Sequence, residues 1–121
     1  MLERGRSRRA GSAAPHFYNF KMRLTPHQRQ VLTEAARDCF DAGVQVRLFG
    51  SRADDARRGG DIDLLIQTQL SDPAQISRAH TQFLARVYTA LGEQKIDVLI
   101  DYPNRQSKAP IYEVAKQGIL L

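Results

Sequence analysis

The chain of 121 residues holds a single cysteine, Cys39, which excludes an internal disulfide. Its three histidines, His16, His27 and His80, share no ligand spacing with one another or with Cys39, so no zinc site is expected. Apolar runs stop at about four residues, far short of the roughly 20 that a membrane-spanning helix requires. The basic opening stretch lacks the apolar segment of a secretory signal, and the expected compartment is cytoplasmic. No G-x-G-x-x-G or Walker A pattern occurs, which excludes the two common glycine-rich phosphate motifs. No Ser-His-Asp or Cys-His arrangement and no internal repeat stand out either.

Hydrophobic residues make up 42% and charged residues 26% of the chain, the balance of a soluble globular domain. The length fits one domain large enough to bury a core without staples. The net charge of +5 is unevenly spread. Residues 1–21 carry five basic side chains (Arg4, Arg6, Arg8, Arg9, Lys21) against Glu3, whereas residues 22–121 carry 13 basic and 12 acidic ones. With Gly5, Ser7, Gly11, Ser12 and Pro15 among the arginines, residues 1–21 read as a basic, disordered leader. They offer weak, sequence-independent attraction to nucleic-acid phosphates. Residues 22–121, close to neutral, form the domain and are not expected to bind nucleic acid.

Along the domain, Thr25-Pro26 marks a helix start, with threonine as N-cap and proline in the first turn. Val31, Leu32, Ala35, Ala36, Cys39 and Phe40 recur at helical spacing, and Gly43 is expected to end that helix. Residues 44–49 alternate as a strand, with Val44, Val46 and Leu48 on one face. A second strand, 62–67, follows after only ten residues, too few for a parallel crossover, so the two strands are expected to be antiparallel. Ser71-Asp72-Pro73 opens a long helix whose apolar face runs from Ile76 to Leu91, with Gly92 at its end. That helix is long enough to carry the chain into a parallel strand over 95–100. A short helix from Pro110 and the apolar tail Ile119-Leu120-Leu121 complete an α/β (α+β) domain with a small mixed sheet.

The chemistry gathers at two places. Gly50-Ser51-Arg52 closes the first strand, and Asp61-Ile62-Asp63 opens the second. Alternation points Asp61 and Asp63 the same way, where two carboxylates repel unless a cation lies between them. Mg²⁺ suits such a pair, because it takes hard oxygen ligands together with substrate phosphates. Gly50 permits close approach of a phosphate to the main chain, and Ser51 can cap a helical turn whose N–H groups face an anion. Arg52 follows directly and is the arginine best placed for a triphosphate. Plainer roles stand beside these: Ser51 as an ordinary N-cap with Asp54, Asp61 as a turn residue after Gly59-Gly60, and Asp97 as a solvated strand residue. Asp63, inside an apolar run, is the hardest to account for without a partner. Asp101 shares the face of Asp97 but precedes Tyr102-Pro103 and reads as a strand-end residue.

The run Gly50-Ser51-Arg52…Gly60-Asp61-Ile62-Asp63-Leu64 resembles the Gly-Ser…Asp-x-Asp signature of the polymerase-β-type nucleotidyltransferase superfamily. The core fills Met22 to Leu121 and closes on Pro-Ile-Tyr-Glu…Gly-Ile-Leu-Leu, so the closest likeness is to the minimal nucleotidyltransferase (MNT) domains. The resemblance implies a nucleotidyltransferase fold in which Gly50, Ser51 and Arg52 bind the phosphates of ATP. It implies that Asp61 and Asp63, with Asp97 from a later strand, hold two Mg²⁺ ions. Domains of this kind are commonly encoded beside a helical HEPN protein as antitoxin and toxin. The implied reaction is then transfer of AMP from ATP to a tyrosine hydroxyl of a HEPN ribonuclease. A transferase acting on a small-molecule hydroxyl and a catalytically silent binding antitoxin are the alternatives.

Overall fold

The computed structural model describes residues 24–50 and 61–121. In them, three helices pack with a four-stranded mixed sheet. The elements are α1 (Pro26–Cys39), β1 (Gln45–Phe49), β2 (Ile62–Gln67), α2 (Pro73–Leu91), β3 (Ile96–Asp101), α3 (Ile111–Ala115) and β4 (Ile119–Leu120). The strand order is β3-β2-β1-β4. Helix α1 starts at a full capping box: the Gln28 N–H donates to Thr25 Oγ1, and the Thr25 N–H donates to Gln28 Oε1. Helix α2 starts at Asp72, whose carboxylate accepts the Gln75 N–H, and ends at Gly92 with φ +81°.

Gly43 does not end α1, contrary to the local signal. The helix stops at Cys39, and Phe40 takes the C-cap position. Burial is the reason. Phe40 is 8% exposed and meets Phe83 of α2 edge-to-face at 6.2 Å between ring centres. Asp41, freed from the helix, accepts hydrogen bonds from the buried Thr68 hydroxyl and from the Gln69 N–H. The turn after α1 is thereby tied to the end of β2.

Strands β1 and β2 are antiparallel, with Val46 opposite Ile66 and Leu48 opposite Leu64. Strands β2 and β3 are parallel, joined through α2. Val46, Leu48, Ile62, Leu64 and Ile66 supply one face of the sheet and share a core with Leu32, Ala36, Phe83 and Val87 of α1 and α2. Complete burial of Leu32, Leu48, Ile62, Leu64, Ile66 and Phe83 stabilises by about 1.5–3 kcal/mol each. Cys39 packs at the rim of this core as a small apolar side chain. Leu65, on the opposite face by alternation, is also fully buried, as is Ala115 of α3, the helix that lies against β1 and β2. Asp63 lies on that second face and is half-buried.

The apolar tail is an edge strand. Ile119 pairs with Leu48 and Leu120 with Arg47, and the Leu121 N–H donates to the Val46 carbonyl at 2.8 Å. Gly118 makes this possible, since a Cβ there would run into the Leu48 carbonyl oxygen. No helix among the described residues is long and apolar enough to cross a membrane.

Candidate active site

Strand pairing brings the acidic residues together. Asp63 lies opposite Asp97 in the parallel β2–β3 ladder and opposite Phe49 in the antiparallel β1–β2 ladder. Adjacent strands are about 4.8 Å apart, so two carboxylates from neighbouring strands share one spot. The ladder is closed just before them by the Ile62 N–H, which donates to the Lys95 carbonyl at 3.0 Å. Asp63 is half-buried and Asp97 exposed.

Gly50 closes the third side. It takes φ +75°, a left-handed conformation that glycine adopts without strain. The Asp63 carboxylate lies where a Cβ of residue 50 would be: such an atom would collide with Asp63 Oδ2 and lie 3.1 Å from its Cγ. The glycine therefore clears room for the carboxylate itself, a role that sequence spacing does not reveal. Ser51 and Arg52, and with them Arg57, Arg58, Gly59 and Gly60, lie outside the described residues. So does the basic leader, residues 1–21.

Electrostatics follow from this crowding. Burial, then the charges of Asp97 and Asp61, then a hydrogen bond with Asp97 raise the Asp63 carboxyl above the usual carboxylate range; Lys95 opposes them. Asp61, just before β2, forms an ion pair with Lys95 at 3.7 Å, with both side chains largely in solvent. Exposed pairs of this kind contribute about 0–1 kcal/mol, so the pair exchanges readily. Sequence reasoning gave Lys95 no role in the site, although its place just before β3, two residues ahead of Asp97, is the signal that marks it.

With side chains as they stand, no group of three or more His, Cys, Asp or Glu among the described residues converges on one point to hold a metal. The donor set nonetheless suits a hard divalent cation. Asp63 and Asp97 are registered oxygen donors whose mutual repulsion a cation would reverse, and Asp61 would have to leave Lys95 to join them. Asp101, by contrast, is engaged with Arg105 at 2.8 Å and Lys116 at 3.9 Å, as a strand-end residue would be. Arg105 in turn stacks on the Tyr112 ring at 3.7 Å. His80 is half-buried on α2, and burial lowers its pKa.

No protein-family model, curated protein or solved structure matches this chain.

Proposed function

We propose that this protein is a Mg²⁺-dependent nucleotidyltransferase that moves AMP from ATP to a hydroxyl of a protein partner. The partner class favoured by the sequence resemblance is a HEPN ribonuclease encoded nearby, with the acceptor a tyrosine and this chain the antitoxin. The observation that carries the reading is the register placing Asp63 beside Asp97, with Gly50 pressed against the same carboxylate.

Asp61, Asp63 and Asp97 would hold the metal, which supplies positive charge to the triphosphate and lowers the pKa of the attacking hydroxyl. The rest is positioning. Gly50 leaves space at the end of β1 for the Asp63 carboxylate. The acceptor oxygen forms a bond to the α-phosphorus, the bond to the β-phosphate oxygen breaks, and pyrophosphate departs. The hydroxyl proton passes to a carboxylate of the trio or to water. Lys95 pairs loosely with Asp61 and keeps a positive charge at the mouth of the site.

A second reading, a binding antitoxin without catalysis, draws support from the same Lys95–Asp61 pair, which already neutralises one of the three carboxylates. Labelled ATP with Mg²⁺ separates the two, with and without the partner, for wild type and Asp61→Asn/Asp63→Asn. Label on the partner with wild type alone supports the transferase. Tight complex formation by both forms with no label refutes it.

A further inference from the structure

Strand β3 is the outermost strand on its side of the sheet among the described residues. The Ile62 N–H donates to the Lys95 carbonyl and the Thr68 N–H to the Asp101 carbonyl, both at 3.0 Å. Period two then turns the backbone groups of Asp97 and Leu99 towards β2 as well, and those of Ile96, Val98 and Ile100 outward. Val98, Leu99 and Ile100 are each only half-buried. An extended, apolar edge of this kind is a template for a further strand.

Helix α2 adds an apolar flank beside that edge. Arg86 pairs with Asp38 of α1 at 3.0 Å and Phe83 meets Phe40, so one side of α2 faces α1. Leu84, Tyr88 and Leu91 recur at i, i+4 and i+7 on the other side. Leu84 and Leu91 are half-buried, and Tyr88 is 39% exposed. Because α1 lies against β1, while β3 lies beyond β2, this stripe and the edge of β3 are on the same side of the domain.

The charges on β3 single out what fits there. If β3 pairs antiparallel with another β3, the outward groups of Ile96, Val98 and Ile100 must meet one another. Pairing Ile96 with Val98 sets the two copies of Asp97 side by side, and pairing Val98 with Ile100 sets Asp97 beside Asp101. Like charges directly opposite destabilise. Pairing about Ile96 or Ile100 overshoots one end of the strand and leaves the other unpaired. Pairing about Val98 sets Ile96 beside Ile100 and, on the other face, Lys95 beside Asp101, each of them twice. The exposed Lys95–Asp61 contact at 3.7 Å is too weak to compete. We propose that two copies of this chain associate through β3, antiparallel about Val98, with the Leu84-Tyr88-Leu91 stripes packing beside the join. Two four-stranded sheets become one of eight strands, with the symmetry commonest among homo-oligomers. The association requires neither nucleotide nor metal.

Sedimentation velocity of the full chain over a range of concentrations, in chelator and without nucleotide, tests it. Circular dichroism melts confirm that each variant is folded. Wild type should sediment as a dimer. Lys95→Glu and Asp101→Lys should each weaken association by about tenfold or more. An equimolar mixture of the two should restore it, because each reversed charge then meets its opposite. Tyr88→Glu, at an exposed position away from the strand, should also weaken it by about tenfold or more. A wild type that stays monomeric at every concentration overturns the proposal. So does a dimer that survives both Lys95→Glu and Tyr88→Glu, or a mixture of the charge variants that associates no better than either alone. If Asp101→Lys does not fold, Lys95→Glu and Tyr88→Glu decide the matter.

Discussion

Replacing Gly50 by alanine tests the geometry of the site without any assumption about its activity. Two costs arise. The first is conformational: φ at residue 50 is +75°, and a left-handed backbone costs a residue with a Cβ roughly 1–2 kcal/mol. The second is steric. The new methyl group would collide with Asp63 Oδ2 and lie 3.1 Å from Cγ and 3.3 Å from Cβ of the same residue. The backbone cannot simply recede, because Phe49 is locked opposite Asp63 in the β1–β2 ladder. Asp63 must swing away, and overpacking of this kind costs typically about 1–3 kcal/mol. Gly50→Ala should therefore destabilise by about 2–5 kcal/mol in all. The two parts separate in a double-mutant cycle with Asp63→Ala, where the carboxylate is gone and only the backbone cost remains. The coupling between positions 50 and 63 should be about 1–3 kcal/mol, the steric part alone. Urea unfolding followed by circular dichroism, in chelator to keep metal out, gives all four stabilities. A cost for Gly50→Ala below about 0.5 kcal/mol, or the same cost in the Asp63→Ala background, would refute the placement of the carboxylate over the glycine.

Asp63→Asn should leave the metal-free protein as stable as wild type or more so near neutral pH. The Asp63 carboxyl is raised in the folded state, so its contribution is favourable below its unfolded pKa and is lost as pH rises through the folded value, beyond which the charged form opposes folding. The advantage of the asparagine should thus shrink on acidification towards about pH 4; urea midpoints at both pH values check it, and a wild type more stable than the variant at neutral pH refutes it. Asp41→Ala should destabilise by about 1–3 kcal/mol, because it strips the buried Thr68 hydroxyl and the Gln69 N–H of their shared acceptor. Thermal melts would show a loss of about 4–8 °C per kcal/mol, and an unchanged melt would mean that Asp41 does not tie α1 to β2.

What the sequence determined by itself was everything set by local chemistry. Thr25-Pro26 and Asp72-Pro73 begin helices because their side chains and fixed φ act within one turn. Gly92 ends α2 through a φ that other residues avoid. Period-two alternation assigned the faces of β1 and β2, and loop lengths alone gave one antiparallel and one parallel pairing. Of the candidate site, Gly50, Asp61 and Asp63 stood out by residue type and spacing, whereas Asp97 entered through the family resemblance. Tertiary structure decided what depends on distant partners. The local stop signal of Gly43 lost to the burial of Phe40 against Phe83 and to the reach of Asp41 to Thr68. The two residues of β4 are too few to show alternation, and they form a strand only because β1 offers an open edge and Gly118 lets the chain approach it. The β2–β3 register was beyond the sequence as well. A slip of two residues would keep every side chain on its face and still part Asp97 from Asp63. Only the packing of α2 across the sheet, with Phe83 and Val87 in the shared core, holds the two carboxylates opposite each other.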